Sequence, residues 1–340
     1  MRRRSSIHTL SSFLGAKPSR YVQFYAVSKE STDYAENFKP RSNDVIVATY
    51  SKTGTTLVQQ MCQQIRTPES FDDEKAMAFE EITQVQPWID FAHDIKLNLD
   101  EDQVFEPRIF KSHQPLESIN RGAKYIATIR NPKDVARSYY YFYREKDHPS
   151  TRNQTLETWT KTWSRKGTWC DPIWGFLNTF ALTAHLSNVL ILPYEDIVAS
   201  PEIAIRAVAM HMGHKDLLSR DRLKQITRRC SKEFMSAYSS KFDDHYLEDK
   251  QRQHGCKHVL TSSKKVVSSK HQTTRTHLDA KSKLMLEKCW SERVTPKTGF
   301  KNYDEMRKSL WQLVLKQLEK SGATKRKHDK PRTKRYRKVC

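Results

Sequence analysis

Glycine and proline are scarce in this chain of 340 residues, which has only nine and 13 of them. Low-complexity and collagen-like sequences are therefore excluded. Long apolar runs are also absent: the run Val189–Leu192 stops at Pro193, far short of the about 20 residues that cross a bilayer. With 37% hydrophobic residues, including 14 Phe, 14 Tyr and 7 Trp, the chain can still bury a large core. The composition predicts a globular protein without a transmembrane segment.

The cysteines are scattered along the chain and form no Cys-x-x-Cys pair. Such scatter is typical of reduced thiols in a cytoplasmic protein rather than of a disulfide framework. The segment 254–258 contains two His and one Cys, but a second pair of ligands at zinc-site spacing is missing, so we expect no metal. The six cysteines are Cys62, Cys170, Cys230, Cys256, Cys289 and Cys340.

The formal net charge of +21 is concentrated at the chain ends. Residues 323–340 contain nine Lys and Arg against one Asp, and residues 1–29 are basic, Ser-rich and free of acids. We predict a loosely ordered N-terminal arm at 1–40, for which a transit peptide is the alternative, and one domain at 41–320. The rest, 321–340, is predicted to be a basic disordered tail, a candidate contact for nucleic acid or anionic surfaces.

Between these ends, short β-branched runs alternate with helical patterns. Apolar residues at helical spacing follow the first run from Thr55, a helix is predicted through Tyr143, and Ser200 is expected to cap a helix that ends near Gly213. A last helix is predicted at 303–318 and a long polar loop at 250–283. This alternation predicts an α/β fold with a doubly wound parallel sheet. The predicted strands are 45–50, 108–111, 125–129 and 189–192.

Three of these strands end in polar residues that suit anion chemistry. The turn Ser51–Gly54 leads into a helix, whose first N–H groups favour a phosphate, although the Walker A pattern is absent. Arg130 ends another strand, at the sheet edge where open α/β folds bind ligands. Lys111 and His113 are two residues apart, so in an extended chain they point to the same side. A base and a cation would then face one pocket.

Together these segments resemble the cytosolic sulfotransferase family. The Tyr50–Leu57 segment is similar to the family's Tyr-Pro-Lys-Ser-Gly-Thr-Thr-Trp loop, and Lys111–Pro115 to its Lys-Thr-His-x-Pro. Arg130–Phe142 matches its Arg-Asn-Pro-Lys-Asp-Val-x-x-Ser-Tyr-Tyr-x-Phe nearly throughout, and Tyr194–Asp196 its Tyr-Glu-Asp. The resemblance covers about residues 43–240 and implies a P-loop-like sulfotransferase fold with helices on both faces of the sheet.

The resemblance also implies the chemistry: sulfuryl transfer from PAPS (3′-phosphoadenosine 5′-phosphosulfate) to a hydroxyl or amine of a small-molecule acceptor, with PAP as product and without a metal. His113 would be the general base, Lys52 would stabilise the leaving phosphate oxygen, and Lys111 would neutralise the sulfuryl oxygens. Arg130 and Ser138 would hold the 3′-phosphate. The implied nucleotide-binding residues are Lys52, Thr53, Gly54, Thr55, Thr56, Leu57, Arg130, Ser138, Tyr194 and Ser231.

The sequence departs from the family pattern at the nucleotide site. Leu57 stands where the family has an adenine-stacking Trp, and Lys232 where it has a Phe. The late Arg-Lys-Gly-x-x-Gly-Asp-Trp loop is missing; Lys264, Lys265 and Lys270 are candidates to replace its 3′-phosphate contacts. These departures leave a second interpretation open, an inactive sulfotransferase-fold protein whose basic tail binds nucleic acid or anionic surfaces. A P-loop kinase is disfavoured, because no Walker A motif or magnesium-binding Asp is evident. The acceptor is not identified, and oligomerisation stays open.

Overall fold

The computed structural model of the protein describes residues 26–167, 172–214, 218–266 and 276–321. The first 25 residues, Lys270 and the basic tail at 323–340 lie outside this part of the chain. Within it, four parallel strands form one sheet in the order β2-β1-β3-β4. All four predicted strands are found, with bounds shifted by one or two residues: β1 Val45–Ala48, β2 Ile109–Ser112, β3 Lys124–Ile129 and β4 Val189–Pro193.

Helices follow β1, β3 and β4, as the sequence predicts for an α/β fold, whereas β2 leads to β3 through a loop. Two 3₁₀ turns, Ile89–Phe91 and Ser239–Phe242, accompany them. In chain order the helices of the described residues are α1 Lys29–Asn37, α2 Thr55–Arg66, α3 Asp73–Ala76, α4 Ile82–Val85, α5 Pro132–Arg144, α6 Pro149–Arg152, α7 Leu156–Lys166, α8 Ile173–Thr183, α9 Tyr194–Ala199, α10 Pro201–Met212, α11 Arg220–Arg229, α12 Lys232–Ala237, α13 His245–Gln253, α14 Ala280–Arg293, α15 Thr295–Thr298 and α16 Tyr303–Lys320.

The sheet is buried on both faces, which explains why its strands are continuously apolar. Val45 and Val47 belong to a core formed with α2, α10 and α11. Ile46 and Ala48, which point to the opposite face, belong to a core formed with α5, α7, α8 and α14. The doubly wound architecture expected from the sequence is confirmed.

The strand order places a ligand crevice at a defined point. From β1 the chain proceeds to β2 on one side and later to β3 on the other side. In open α/β sheets, ligands bind outside the carboxyl ends of the strands where the connections diverge in this way. That point lies between the turns that follow β1 and β3, the turns that contain Lys52 and Arg130.

Three local features differ from the sequence prediction. Helix α1 lies within the predicted loosely ordered lead-in, and its Ala35 is buried in the core. The predicted loop at 250–283 contains the end of α13 and the start of α14. Ser200 does precede α10, but its side chain makes no capping hydrogen bond there. Among the described residues, no helix is both long and apolar enough to cross a membrane.

Candidate active site

The turn between β1 and α2 is shaped by two left-handed residues. Lys52 has φ of 69° and Gly54 has φ of 112°, and Gly54 is the N-cap of α2. The first N–H groups of α2 therefore lie at the carboxyl end of β1, where they can receive an anion. Tyr194, which follows β4, packs directly on the glycine, since a Cβ on Gly54 would lie 2.7 Å from Tyr194 Cδ2.

Replacing Gly54 by alanine should therefore damage the turn. The side chain would both strain the left-handed backbone and strike the Tyr194 ring, at an expected cost of about 1–3 kcal/mol in the free energy of unfolding. Gly175 in α8 is the matched control, because a Cβ there meets nothing within 4 Å and its φ is not positive. Gly175→Ala should be neutral or stabilising by up to about 1 kcal/mol. Urea denaturation distinguishes the two, and equal effects would contradict this account of the turn.

The hydroxyls of the turn brace it rather than point outward. Thr53 Oγ1 donates to Tyr50 O at 2.6 Å and lies 2.7 Å from Thr128 Oγ1, which ties the turn to β3. Thr55 Oγ1 lies 2.6 Å from Thr49 Oγ1. Thr53 and Thr55 are buried, so this turn offers an anion mainly backbone N–H groups and the partly exposed Thr56.

Lys52, Arg130 and Tyr194 are brought together from three strand ends. Arg130 Nη1 donates to Lys52 O at 3.0 Å, and its guanidinium carbon lies 4.4 Å from the centroid of the Tyr194 ring. Lys52 Nζ lies 3.9 Å from the centroid of the Phe142 ring. A cation over an aromatic face is attracted by the ring quadrupole. The two cations therefore lie close together at the carboxyl ends of β1 and β3.

A network that the sequence analysis missed fixes the Arg130 turn. The N–H of Asn131 donates to Glu195 Oε1 at 3.0 Å, and Tyr303 Oη donates to Glu195 Oε2. Helix α16 is held to the same region by the two-pronged contact of Arg307 with Asp196, both at 2.9 Å. The Tyr194–Asp196 motif was recognised only for its Tyr; Glu195 positions the turn, and Asp196 holds α16 beside it.

His113, which follows β2, is buried, with 7% of its surface exposed. Its Nδ1 lies 2.8 Å from the carbonyl oxygen of Thr49. Because a carbonyl only accepts, Nδ1 carries the hydrogen and Nε2 keeps its lone pair. Burial, followed by the nearby Lys111 ammonium, lowers the pKa of His113 well below its usual 6.5.

Lys111 enters the same site from β2, as its spacing from His113 predicts. It is 2% exposed, and its Nζ lies 3.4 Å from the centroid of the Trp88 ring. Burial and the second ammonium of Lys265 lower the pKa of Lys111 to about 7, against the opposing effect of Asp244. Nζ lies 3.9 Å from Asp244 Oδ1.

Lys265 is thus found on the Lys111 side of the site, where its ammonium contacts Asp244. The sequence analysis names Lys265 as a candidate ligand of the 3′-phosphate. In the structure its ammonium is paired with the Asp244 carboxylate instead. Lys264 beside it is exposed. Neither Asp244 nor its buried neighbour Glu81 was selected from the sequence, because no motif marks either one.

Ser138 and Ser231 are less closely tied to this centre. Ser138 is partly exposed on α5, and residues 276–277 cover the same helix, with Thr276 N donating to Tyr141 Oη at 2.8 Å and His277 Nδ1 lying 3.2 Å from Arg137 Nη1. Ser231 caps α12, its Oγ accepting from Phe234 N at 3.2 Å. Leu57 is partly buried against that Phe234 cluster.

Among the described residues, no group of three His, Cys, Asp or Glu side chains is placed to hold a metal. The four described cysteines, at 62, 230, 256 and 289, are free thiols.

Solved structures of other proteins share this fold. Mouse sulfotransferase SULT7A1, solved with PAP, superposes with a TM-score of 0.59 at 18% identity over 84% of this chain and 94% of the mouse chain. Retinol dehydratase, solved with retinol and PAP, gives 0.58 at 18% identity over 85% and 94%. Identities this low show the fold alone.

Sequence relatives point the same way. Rat sulfotransferase 1C2 is 27% identical over 202 residues, which are 56% of this chain and 66% of the rat protein, just under two thirds of its length. The family model described as a sulfotransferase domain matches residues 42–312, beyond the segment recognised from motifs. The chain belongs to the sulfotransferase family.

Proposed function

We propose that the protein transfers the sulfuryl group of PAPS to a hydroxyl or amine of a small-molecule acceptor and releases PAP. The observation that carries this proposal is the convergence of Lys52, Arg130 and the Lys111–His113 pair at the carboxyl ends of three adjacent strands. The solved relatives crystallised with PAP support the choice of nucleotide. Four free thiols among the described cysteines support a cytoplasmic location.

The residues present fit a nucleotide with two separated anionic groups. The left-handed Gly54 turn opens the α2 N-terminus to a 5′-phosphate, and a side chain at that position would close the approach to Tyr194. Arg130, with Ser138 further along the same segment, would hold the 3′-phosphate. Tyr194 would line the nucleotide, and Leu57 and Ser231 are the remaining candidates for the base.

In the transfer itself, the acceptor oxygen or nitrogen bonds to sulfur while the bond from sulfur to the phosphate oxygen breaks. His113 would take the acceptor's proton on Nε2, whose lone pair the Thr49 hydrogen bond preserves. Lys52 would stabilise charge on the departing phosphate oxygen, and Lys111 would neutralise the sulfuryl oxygens. Positioned charges of this kind, rather than covalent help, dominate such group transfers.

The acceptor would approach between aromatic and charged groups. Trp88 packs edge-on against His113, with ring centroids 5.0 Å apart, and Phe142 lies beneath Lys52. Retinol dehydratase has been solved in a complex with retinol and PAP, which supports a small-molecule acceptor. Here the buried Asp244 and Lys265 add charge to the same region.

Binding of PAP, followed by thermal shift and calorimetry, tests the donor site. We expect millimolar PAP to raise the melting temperature, and Arg130→Ala to weaken PAP binding at least about 30-fold, since truncating one partner of a charged contact costs about 2 kcal/mol or more. Arg144→Ala is the control, because Arg144 is exposed at the far end of α5, the helix that follows Arg130.

Transfer of labelled sulfate from PAPS to a panel of phenols, alcohols and amines then tests the reaction. If PAP does not raise the melting temperature, the proposed nucleotide site is contradicted. PAP binding without transfer to any acceptor would favour the inactive binding protein.

A further inference from the structure

A buried group of charges surrounds Lys111 beyond the residues already assigned a role. Asp244 is 4% exposed, and its carboxylate faces two ammonium groups, Lys265 in direct contact and Lys111 at 3.9 Å. The Lys265 side chain is only 13% exposed. Two lysines therefore compete for one carboxylate in the interior, next to the proposed base His113.

The two partners are held rigidly by their own segment. Asp244 caps α13 in a left-handed conformation with φ of 69°. The chain leading to Lys265 is bound to the same helix region, because Ser263 N donates to Asp243 O at 2.8 Å and Ser262 N donates to Glu248 Oε2 at 2.7 Å. The Asp244–Lys265 pair is thus preformed and does not depend on Lys111.

Lys111 is engaged by an aromatic face and a carboxylate. Its ammonium lies between the Trp88 face and Asp244. In the proposed transfer it would turn from Asp244 to the sulfuryl oxygens. A buried carboxylate that loses its only cation is strongly destabilised. Lys265 removes this penalty, since Asp244 keeps an ammonium when Lys111 departs.

We propose that Lys265 is a positioning residue of the reaction centre, the permanent counter-ion of Asp244 that allows Lys111 to turn from Asp244 to the sulfuryl group. This inference rests on the proposed function.

The directions of the pKa shifts in this cluster agree with Lys265 as the permanent partner of Asp244. The pKa of Lys265 is raised, because Asp244 and Glu81 outweigh burial, whereas that of Lys111 is lowered. Burial would raise the pKa of Asp244, but Lys265 and Lys111 hold it at about 2.

The other groups facing Lys111 are His113, Lys265, Glu81 and Asp90. Asp90 accepts from Trp88 Nε1 at 2.7 Å and Gln114 Nε2 at 3.0 Å, and burial raises the pKa of Glu81. Asp244 is therefore the carboxylate that competes for Lys111.

The variant Lys265→Met tests the idea, with Lys257→Met as the matched control on an exposed lysine of the segment that leads to Lys265. Because Lys111 then becomes the closest ammonium to Asp244, we expect kcat to fall 10- to 100-fold while PAP affinity stays unchanged. Lys111 should also keep its charge to higher pH. The alkaline limb of the rate profile, which we expect near pH 7 in the unaltered chain, should therefore shift to higher pH. Lys257→Met should change neither quantity.

A second substitution that restores the rate would distinguish a positioning role of Lys265 from damage to the fold. Asn tolerates a left-handed backbone, so adding Asp244→Asn to Lys265→Met should fold, release Lys111 and restore most of the rate. Lys265→Arg, which keeps the charge, should stay within about threefold of the unaltered chain.

Unchanged kcat and pH limb in Lys265→Met, or failure of Asp244→Asn to restore the rate, would overturn the proposal. Titration of Lys111 by NMR of the lysine-labelled chain, with and without the Lys265 substitution, reports the coupling without turnover. If the Lys111 titration shifts but no acceptor is ever sulfated, the proposed function has failed and the coupling stands.

Discussion

Replacing His113 by alanine is expected to lower kcat for sulfuryl transfer about 10²- to 10⁴-fold, the usual contribution of a positioned general base. The ring lies beside Lys111 and is oriented by Thr49, so its loss removes the acceptor of the proton and leaves both lysines in place. PAP affinity should therefore stay within a few-fold of the unaltered chain. Initial rates with saturating PAPS, together with PAP calorimetry on the same preparation, measure both quantities.

The pH dependence of the transfer rate gives a second test of His113 as the general base. Since burial and Lys111 lower the pKa of His113, the base stays neutral below pH 6.5, and the acid limb of the rate should lie on the acid side of that value. His93→Ala is a matched control, because His93 is exposed and stacks only loosely on Tyr34, at 6.0 Å between centroids. Turnover in His113→Ala equal to that of His93→Ala would remove His113 from the mechanism.

The positions of the two turns proposed to bind the nucleotide could be predicted from the sequence because their determinants are local. A β-branched run, a turn with glycine and a helical pattern are contiguous at 45–66, and they specify where the α2 N-terminus points. Arg130 likewise ends a strand whose pattern is clear. The parallel arrangement then brings these two turns together, as the hydrogen bond between Arg130 and Lys52 O shows.

The acceptor side could not be predicted in the same way. Asp244 and Lys265 come from a polar segment without apolar periodicity, and their pairing with Lys111 joins positions more than 130 residues apart in the sequence. In a basic chain rich in exposed lysines, composition does not reveal which lysine is buried. Only the close approach of α13 and the 261–266 segment to β2 identifies Lys265.

The N-terminal helix illustrates a related difficulty. Helix α1 is polar along most of its length, and the sequence around it suggests a loosely ordered arm. The structure stabilises it by tertiary contacts, in which Ser31 Oγ donates to Asp90 O at 3.0 Å and Ser28 binds Asp94. Helical stability in proteins comes mostly from such packing rather than from propensity.

Removal of Asp44 should cause the largest loss of stability of any single change considered. Its carboxylate meets Arg108 in a two-pronged contact at 2.9 and 2.6 Å, and the two side chains are 0% and 1% exposed. Asp44→Ala leaves a buried guanidinium without its anion, which costs about 3–5 kcal/mol. We expect the urea midpoint to fall accordingly with little change in slope. The double variant Asp44→Leu/Arg108→Met should recover much of the loss, since an apolar pair replaces the ionic one.

The ion pair of Arg41 with Asp102 is the matched control for this prediction. It lies close by in the fold, but its side chains are 45% and 78% exposed, so solvent screens the attraction and Asp102→Ala should cost less than about 1 kcal/mol. The contrast isolates burial as the cause, because both contacts join an Arg to an Asp at similar distance. Equal losses in the two variants would mean that the Arg108 guanidinium does not need a carboxylate; the carbonyls of Leu99 and Glu101 already accept hydrogen bonds from its Nη1 at 2.8 and 3.0 Å. They accept hydrogen bonds but bring no negative charge, which is why we expect them to be insufficient.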